Sequence, residues 1–235
     1  MELVKENWSS NDIIEFQEYL ESLKNQEKVE WTANLLKTKL PVLAIKTPEI
    51  KKIVNKISKG NYLEFLNYMV WDYYENSAIN GFLIVKIKDF DIMKKYLDIY
   101  SIKCDNWASC DLLSFDVKDK DNQYLNIVLE YIKSDKPFVR RIGMSILFNF
   151  IDNDNYINKI FELLDCFKDE EDYYVNMLNA WLLCECFVKQ RDKTLIYIEH
   201  NNLNKFTINK AIQKCRESYR VSKEDKNMLL KYKVK

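Results

Sequence analysis

The amino-acid sequence predicts an all-α chain in which many short helices pair and stack. Two observations carry that expectation. Apolar residues recur at three- and four-residue spacing behind recognisable helix-start signals, with no strand pattern or long linker between them. Only three glycines and three prolines occur among 235 residues. That is few turn-formers for a sandwich or barrel, and the Gly-rich turn of nucleotide-binding α/β folds is missing.

The elements follow in order. "SSNDIIEFQEYLESL" opens with Ser9 positioned to cap with Asp12, and Ile13, Phe16, Leu20 and Leu23 form its apolar stripe. A second helix is expected over about 25–38. In "LPVLAIKTPEIKKIVNKI" a short connection leads to Thr47 as N-cap and Pro48 at the first helical position, with Ile50, Ile53, Val54 and Ile57 as the buried face. Further helices are expected over about 61–70, 75–86, 89–99, 106–115, 121–134, 137–150, 155–166, 172–188, 192–199, 207–218 and 222–232. The one starting near 121 has Tyr124, Leu125, Val128, Leu129 and Ile132 along one stripe. Pro137 marks a helix start, and "SKED" offers a capping box from Ser222 to Asp225. No exact repeat is visible, but the spacing of helix pairs is compatible with degenerate HEAT-like repeats of about 40 residues. The expected architecture is an α-solenoid of paired antiparallel helices forming a single curved domain over 1–235, with a compact helical bundle as the alternative.

Composition narrows the function classes. The 36 basic and 36 acidic side chains balance, so net charge alone gives no warrant for nucleic-acid binding, although a local patch is compatible with it. Residues 201–235 carry ten Lys or Arg against three Asp or Glu, enough for a basic face or simply a solvated helical tail. The start "MELVKENWSSND" lacks the apolar core of a signal peptide and no run approaches membrane-spanning length, so a cytoplasmic protein with no membrane partner is expected. Six cysteines form no CxxC pair and the chain has one histidine. Reduced, largely buried thiols are therefore expected, with no metal site.

The stretch "CDNWASCDLLSF", residues 104–115, holds the most specific side chains. Trp107 and Asp111 are four residues apart and share one face of a helix, with Asp105 and Asn106 available as caps. Core packing for the indole and a surface or capping role for the carboxylate are the ordinary alternatives. Trp181 lies in "DYYVNMLNAWLLCECF" on a stripe with Tyr174, Met177 and Leu178, which reads equally as core. Arg140 and Arg141 are adjacent on a predicted helix, so at most one points cleanly inward, and such a pair suits phosphate contacts or a surface ion pair.

Taken in order, "TPEIKKIVNKI", "WDYYENSAINGFLI", "DNWASCD", "KPFVRRIGMSILF", "YYVNMLNAWLLCECF" and "FTINKAIQKCRESYRVSKED" resemble the AlkD-like family of DNA alkylation repair glycosylases. The resemblance runs over nearly the whole chain and implies the HEAT-like solenoid. It implies that Trp107, Asp111, Arg141 and Trp181 match the family's active-site aromatic, carboxylate, arginine and second aromatic. It also implies release of cationic N3- or N7-alkylated purines from double-stranded DNA, held on the basic concave surface of a monomer. Such chemistry needs water and no cofactor. Arg140, Lys205, Lys210, Lys214, Arg216 and Arg220, with Arg141, are candidates for contact with the DNA backbone. An interhelical ion pair is the alternative role for Arg216 or Glu217.

The sequence departs from the family pattern at Ala44, where glycine is common, at Ile50, where arginine is common, and at Asn176, where a basic residue is frequent. Each change predicts weaker DNA binding. A non-catalytic binder of damaged or branched DNA and a HEAT-like protein-interaction scaffold are the alternative functions. Methyl transfer to Cys110 lacks an activating neighbour.

Overall fold

The computed structural model describes residues 1–235, and every regular element in it is helical. The chain divides into two compact units, Met1–Asp116 and Val117–Lys235. The first holds α1 (Ser10–Ser22), α2 (Val29–Leu36), α3 (Thr47–Ile57), α4 (Tyr62–Tyr68), α5 (Tyr74–Ile84), α6 (Phe90–Lys103) and α7 (Trp107–Asp111). The second holds α8 (Asp121–Tyr131), α9 (Pro137–Ile146), α10 (Ile157–Asp165), α11 (Tyr173–Lys189), α12 (Arg191–His200), α13 (Lys205–Glu217) and α14 (Lys223–Met228). No helix is long and apolar enough to cross a membrane.

Packing follows the pairing that HEAT-like repeats require. In the first unit α5 is the central helix and touches α3, α4, α6 and α7. In the second, α11 packs on α9, α12 and α13, while α8 covers α9. The next-but-one contacts run α3 to α5 to α7 in the first unit and α9 to α11 to α13 in the second.

The first helix forms as its sequence directs. The Ser9 hydroxyl accepts from the Asp12 amide at 3.2 Å and the Asp12 carboxylate accepts from the Ser9 amide at 2.8 Å. Ile13, Phe16 and Leu20 are buried. In α3 the four expected residues Ile50, Ile53, Val54 and Ile57 are the buried ones. This helix begins at Thr47 with Lys46 in the cap position and no side-chain cap, so Thr47 is not the N-cap. Ser222 caps α14 by accepting the Asp225 amide at 3.0 Å, but the Asp225 carboxylate is drawn away to Arg191.

Three sequence expectations shift. The helix expected over 106–115 stops at Asp111, because Leu113 and Phe115 turn inward as buried anchors of an irregular segment. In α8 the core face is Tyr124, Ile127, Val128 and Tyr131, while Leu129 is exposed. The close approach of α8 to α9 is possible because residue 143 is glycine: a Cβ there would lie 2.8 Å from the Tyr131 Cβ. In α11 the buried residues include Val175, Leu178, Leu182 and Cys186, with neighbours on several sides. Trp181 is 39% exposed and is not a core residue.

Candidate functional site

Helix α7 has only five residues, too few to hold itself in water, and its order comes from neighbours in the first unit. Asn106 caps it, accepting the Ser109 amide at 2.9 Å and donating to the Ser109 hydroxyl at 2.9 Å. Ser77 of α5 shares a 2.8 Å hydrogen bond with Ser109 Oγ. The buried Tyr100 donates its hydroxyl to the Ser109 carbonyl at 2.9 Å. Burial pushes that phenol well above its ordinary value, so it stays protonated and remains a donor. Asp105 is not the cap. Its carboxylate accepts the Thr38 hydroxyl at 2.8 Å and the Lys39 amide at 2.6 Å, which ties the start of α7 to the chain leaving α2.

These constraints fix Trp107 and Asp111 on one turn, at the first and last positions of α7. Both are partly buried. The Trp107 indole N–H donates to the Leu35 carbonyl at 3.3 Å, near the end of α2. Gly81 of α5 leaves room beneath the helix: a Cβ there would lie 2.5 Å from Leu112 Cδ1 and 2.8 Å from the Tyr100 hydroxyl.

A second support was not visible as a motif. Val42 to Ile45 are buried without helical hydrogen bonds, so their amides need partners. Glu75, with no exposed surface, accepts the Leu43 amide at 3.0 Å and the Ile45 amide at 3.2 Å. Burial raises the Glu75 carboxyl above its ordinary value, against the pull of those donors. The neighbouring Tyr74 phenol is pushed up to about 12 by burial and by the Glu75 charge. Ala44, between the two bonded amides, has φ 60°. That is the left-handed conformation glycine adopts without strain, so alanine here carries a backbone cost that glycine would not. Ala44 packs with Leu36 and Val42 in a small core that Ala108 of α7 completes. The loop therefore bears on the helix that presents Trp107 and Asp111.

Asp111 also lines a surface groove of about 570 Å³, together with Thr47, Lys51 and Asn55 of α3 and Phe82 and Lys86 at the end of α5. Ile50 is buried in the core face of α3, and Lys51, one residue on, faces this groove.

In the second unit Trp181 stands half-exposed on α11, its ring 4.5 Å from that of Phe148. Its indole N–H donates to the Glu185 carboxylate at 3.3 Å. Arg220 holds the same carboxylate with two guanidinium nitrogens, and this ion pair keeps Glu185 below its ordinary value. Arg220, expected at the DNA backbone, is thus engaged internally. It makes the ion pair that the sequence allowed for Arg216 or Glu217.

The two adjacent arginines are both used within this unit. Arg141 is 5% exposed and donates to the Tyr174 carbonyl on α11. Arg140 holds Glu170 through Nε and Nη2, each at 2.8 Å, and donates from Nη1 to the Ser134 carbonyl at 2.9 Å. Asn176 is likewise buried rather than facing a ligand. It accepts from Thr207 at 2.7 Å and from Asn204 at 2.9 Å, and donates to the Glu170 carbonyl. Of the remaining basic candidates, Lys205 and Lys210 come together with Lys233 around a shallow groove of about 550 Å³. Lys214 is half-buried and Arg216 exposed outside that groove.

No group of His, Cys, Asp and Glu side chains is arranged to hold a metal ion. Comparison with individual curated proteins finds no match. The family model described as DNA alkylation repair enzyme matches residues 16–215, which takes in the all-α pairing, α7 with Trp107 and Asp111, and the α9, α11 and α13 layer. On that match over most of its length, the chain belongs to the AlkD-like family of DNA alkylation repair enzymes.

Proposed function

We propose that this DNA-repair-family protein is a glycosylase that hydrolyses the N-glycosidic bond of cationic N3- or N7-alkylated purines in duplex DNA. The observation that carries this reading is Asp111. It is a carboxylate on the same helical turn as Trp107, set in the wall of an open groove and held by a helix whose orientation three neighbouring elements fix.

The chemistry suits these groups. An N3- or N7-alkylated purine is a cation and departs as a neutral base, taking the bonding electron pair from C1′. No strong general acid is required. Positive charge then grows on the deoxyribose, and the Asp111 carboxylate stabilises it. The oxygen of a water molecule bonds to C1′ on the face that Asp111 governs, and the proton it releases passes to solvent. The products are the free alkylated base and an abasic sugar. Trp107 supplies an indole face to the cationic base, worth about 0.5–2 kcal/mol. Even about 2 kcal/mol changes a rate only about thirtyfold, so Asp111 and the weakness of the bond itself account for most of the rate. Arg141 acts mainly as a brace between α9 and α11, with any phosphate contact made from a guanidinium already bound to Tyr174.

The test is release of N7-methylguanine and N3-methyladenine from methylated duplex DNA by wild type and by Asp111→Asn. Release above the spontaneous rate that falls about a hundredfold or more in the variant, with DNA binding retained, supports the reading. Tight binding without release assigns the protein as a non-catalytic DNA binder. Absence of both assigns a scaffold.

A further inference from the structure

Two of the six cysteines stand against each other at a place that base release does not use. Helices α11 and α13 pack side by side. They run parallel, because Thr207 donates to Asn176 at 2.7 Å near their starts and Glu185 pairs with Arg220 toward their far ends. Asn176 and Thr207 are 31 residues apart. One turn further along both helices, the same offset brings Ala180 level with Ala211, and a second turn brings Cys184 level with Cys215. All six of these residues are buried, as rungs between facing helices must be. The two alanines are small enough to let the backbones close toward the Cα separation of about 4.4–6.8 Å that a disulfide needs. At the last rung the two thiols are hydrogen-bonded to each other.

We propose that Cys184 and Cys215 are a redox site that hydrogen peroxide converts to a disulfide, tying α11 to α13 beside Trp181. The hydrogen bond sorts their roles. Donation from Cys215 lowers the Cys184 thiol, with Arg220 and Lys214 acting in the same direction against burial, while Cys215 is raised. Cys184 is thus the attacking sulfur and Cys215 the resolving one. The Cys184 sulfur bonds to one peroxide oxygen, the O–O bond breaks, and a water leaves with Cys184 as a sulfenic acid. The Cys215 sulfur then bonds to the Cys184 sulfur, the S–O bond breaks, and the departing oxygen leaves as a second water with the Cys215 proton. The two thiols lose two electrons and the peroxide gains them. A dithiol reverses the change by exchange. Burial of both sulfurs excludes bulky disulfide oxidants and leaves the reaction to a small one. The inference is independent of the role given to Asp111.

The experiment treats the reduced, full-length protein with hydrogen peroxide and alkylates the remaining thiols. The monomer from a non-reducing gel is then digested with trypsin. The expected product is the peptide spanning 169–189 joined to the fragment that carries Cys215, and dithiothreitol should separate the two. Fragmentation of the joined peptide should place the bond at Cys184 and not at Cys186, without recourse to any variant. In support, Cys186→Ala should keep the join and Cys184→Ala should abolish it. The thermal midpoint of the oxidised wild type should lie about 5–10 °C above that of the reduced protein, because the bond closes a loop through α12. Recovery of Cys184 as an unmodified thiol, or as a sulfinic or sulfonic acid without the join, overturns the proposal. So does a join through Cys186, or a midpoint that falls on oxidation, which would show that the folded helices do not accommodate the bond.

Discussion

The Trp181 indole N–H and the Glu185 carboxylate are hydrogen-bonded one helical turn apart at 3.3 Å, and Arg220 grips that carboxylate from the other side. The exposed indole is thus oriented by an ion pair as well as by Phe148. Arg220 holds the Glu185 carboxyl below its ordinary value of 4.5. For a depressed carboxyl the stabilising contribution is complete above the ordinary value and is lost as pH falls through the folded value. Trp181 fluorescence, isolated by difference from Trp181→Phe, should therefore be constant from neutral pH down to the ordinary carboxylate range and change below it. In Glu185→Gln the acid transition should vanish.

Replacing Trp107 bounds its role. Trp107→Ala should slow single-turnover base release by no more than about thirtyfold, less than Asp111→Asn. Trp107→Phe keeps a ring but loses the bond to Leu35, so it should also cost about 1 kcal/mol in urea unfolding. A tryptophan variant slower than Asp111→Asn would contradict the proposed division of labour.

Glu75 holds a buried loop and not a ligand. Glu75→Gln keeps one acceptor but turns amide hydrogens toward the Leu43 or Ile45 N–H. About 1.5–3 kcal/mol should be lost in chemical denaturation. The variant should lose base release only to the extent that the 42–45 loop ceases to support α7. A variant as stable as wild type would show that the two amides find other acceptors.

Gly81→Ala tests how tightly α5 supports the candidate site. Alanine gains about 1 kcal/mol of helix propensity, but its methyl meets Leu112 Cδ1 at 2.5 Å and the Tyr100 hydroxyl at 2.8 Å. Leu112 is only partly buried and can turn away. Tyr100 is fully buried and bonded to Ser109, so it cannot. Overpacking of about 1–3 kcal/mol outweighs the propensity gain, for a net loss of about 1 kcal/mol. Base release should fall more than this loss implies, because Leu112 adjoins Asp111.

Local signals in the sequence were sufficient wherever one residue pattern had one solution. The Ser9–Asp12 box, the Ile50, Ile53, Val54 and Ile57 stripe, and the shared face of Trp107 and Asp111 all depend on spacings of three or four. The α8 segment carries two overlapping apolar stripes, and only contact with α9 selects Ile127 and Tyr131 over Leu125 and Leu129. Helix α11 is apolar nearly all round, so periodicity there does not identify the open side on which Trp181 stands.

The candidate site was legible as a pair but not as an environment. Glu75 lies 32 residues from Leu43, so its role exists only after folding. The same holds for the arginines. Sequence offers Arg140, Arg141 and Arg220 as candidates for phosphate contact, but Glu170, the Tyr174 carbonyl and Glu185 already hold them. Ala44 was recognisable as a departure from glycine. Its left-handed backbone shows that glycine would sit there with less strain.

The short helix α7 has a further consequence for how the chain matures. Asp105, Trp107 and Ser109 are secured by Thr38, Lys39, Leu35, Ser77 and Tyr100, every one of which precedes them in the chain. A polypeptide leaving the ribosome has already made these supports when residues 105–111 emerge. Trp107 and Asp111 can take their places while the second unit is still being translated.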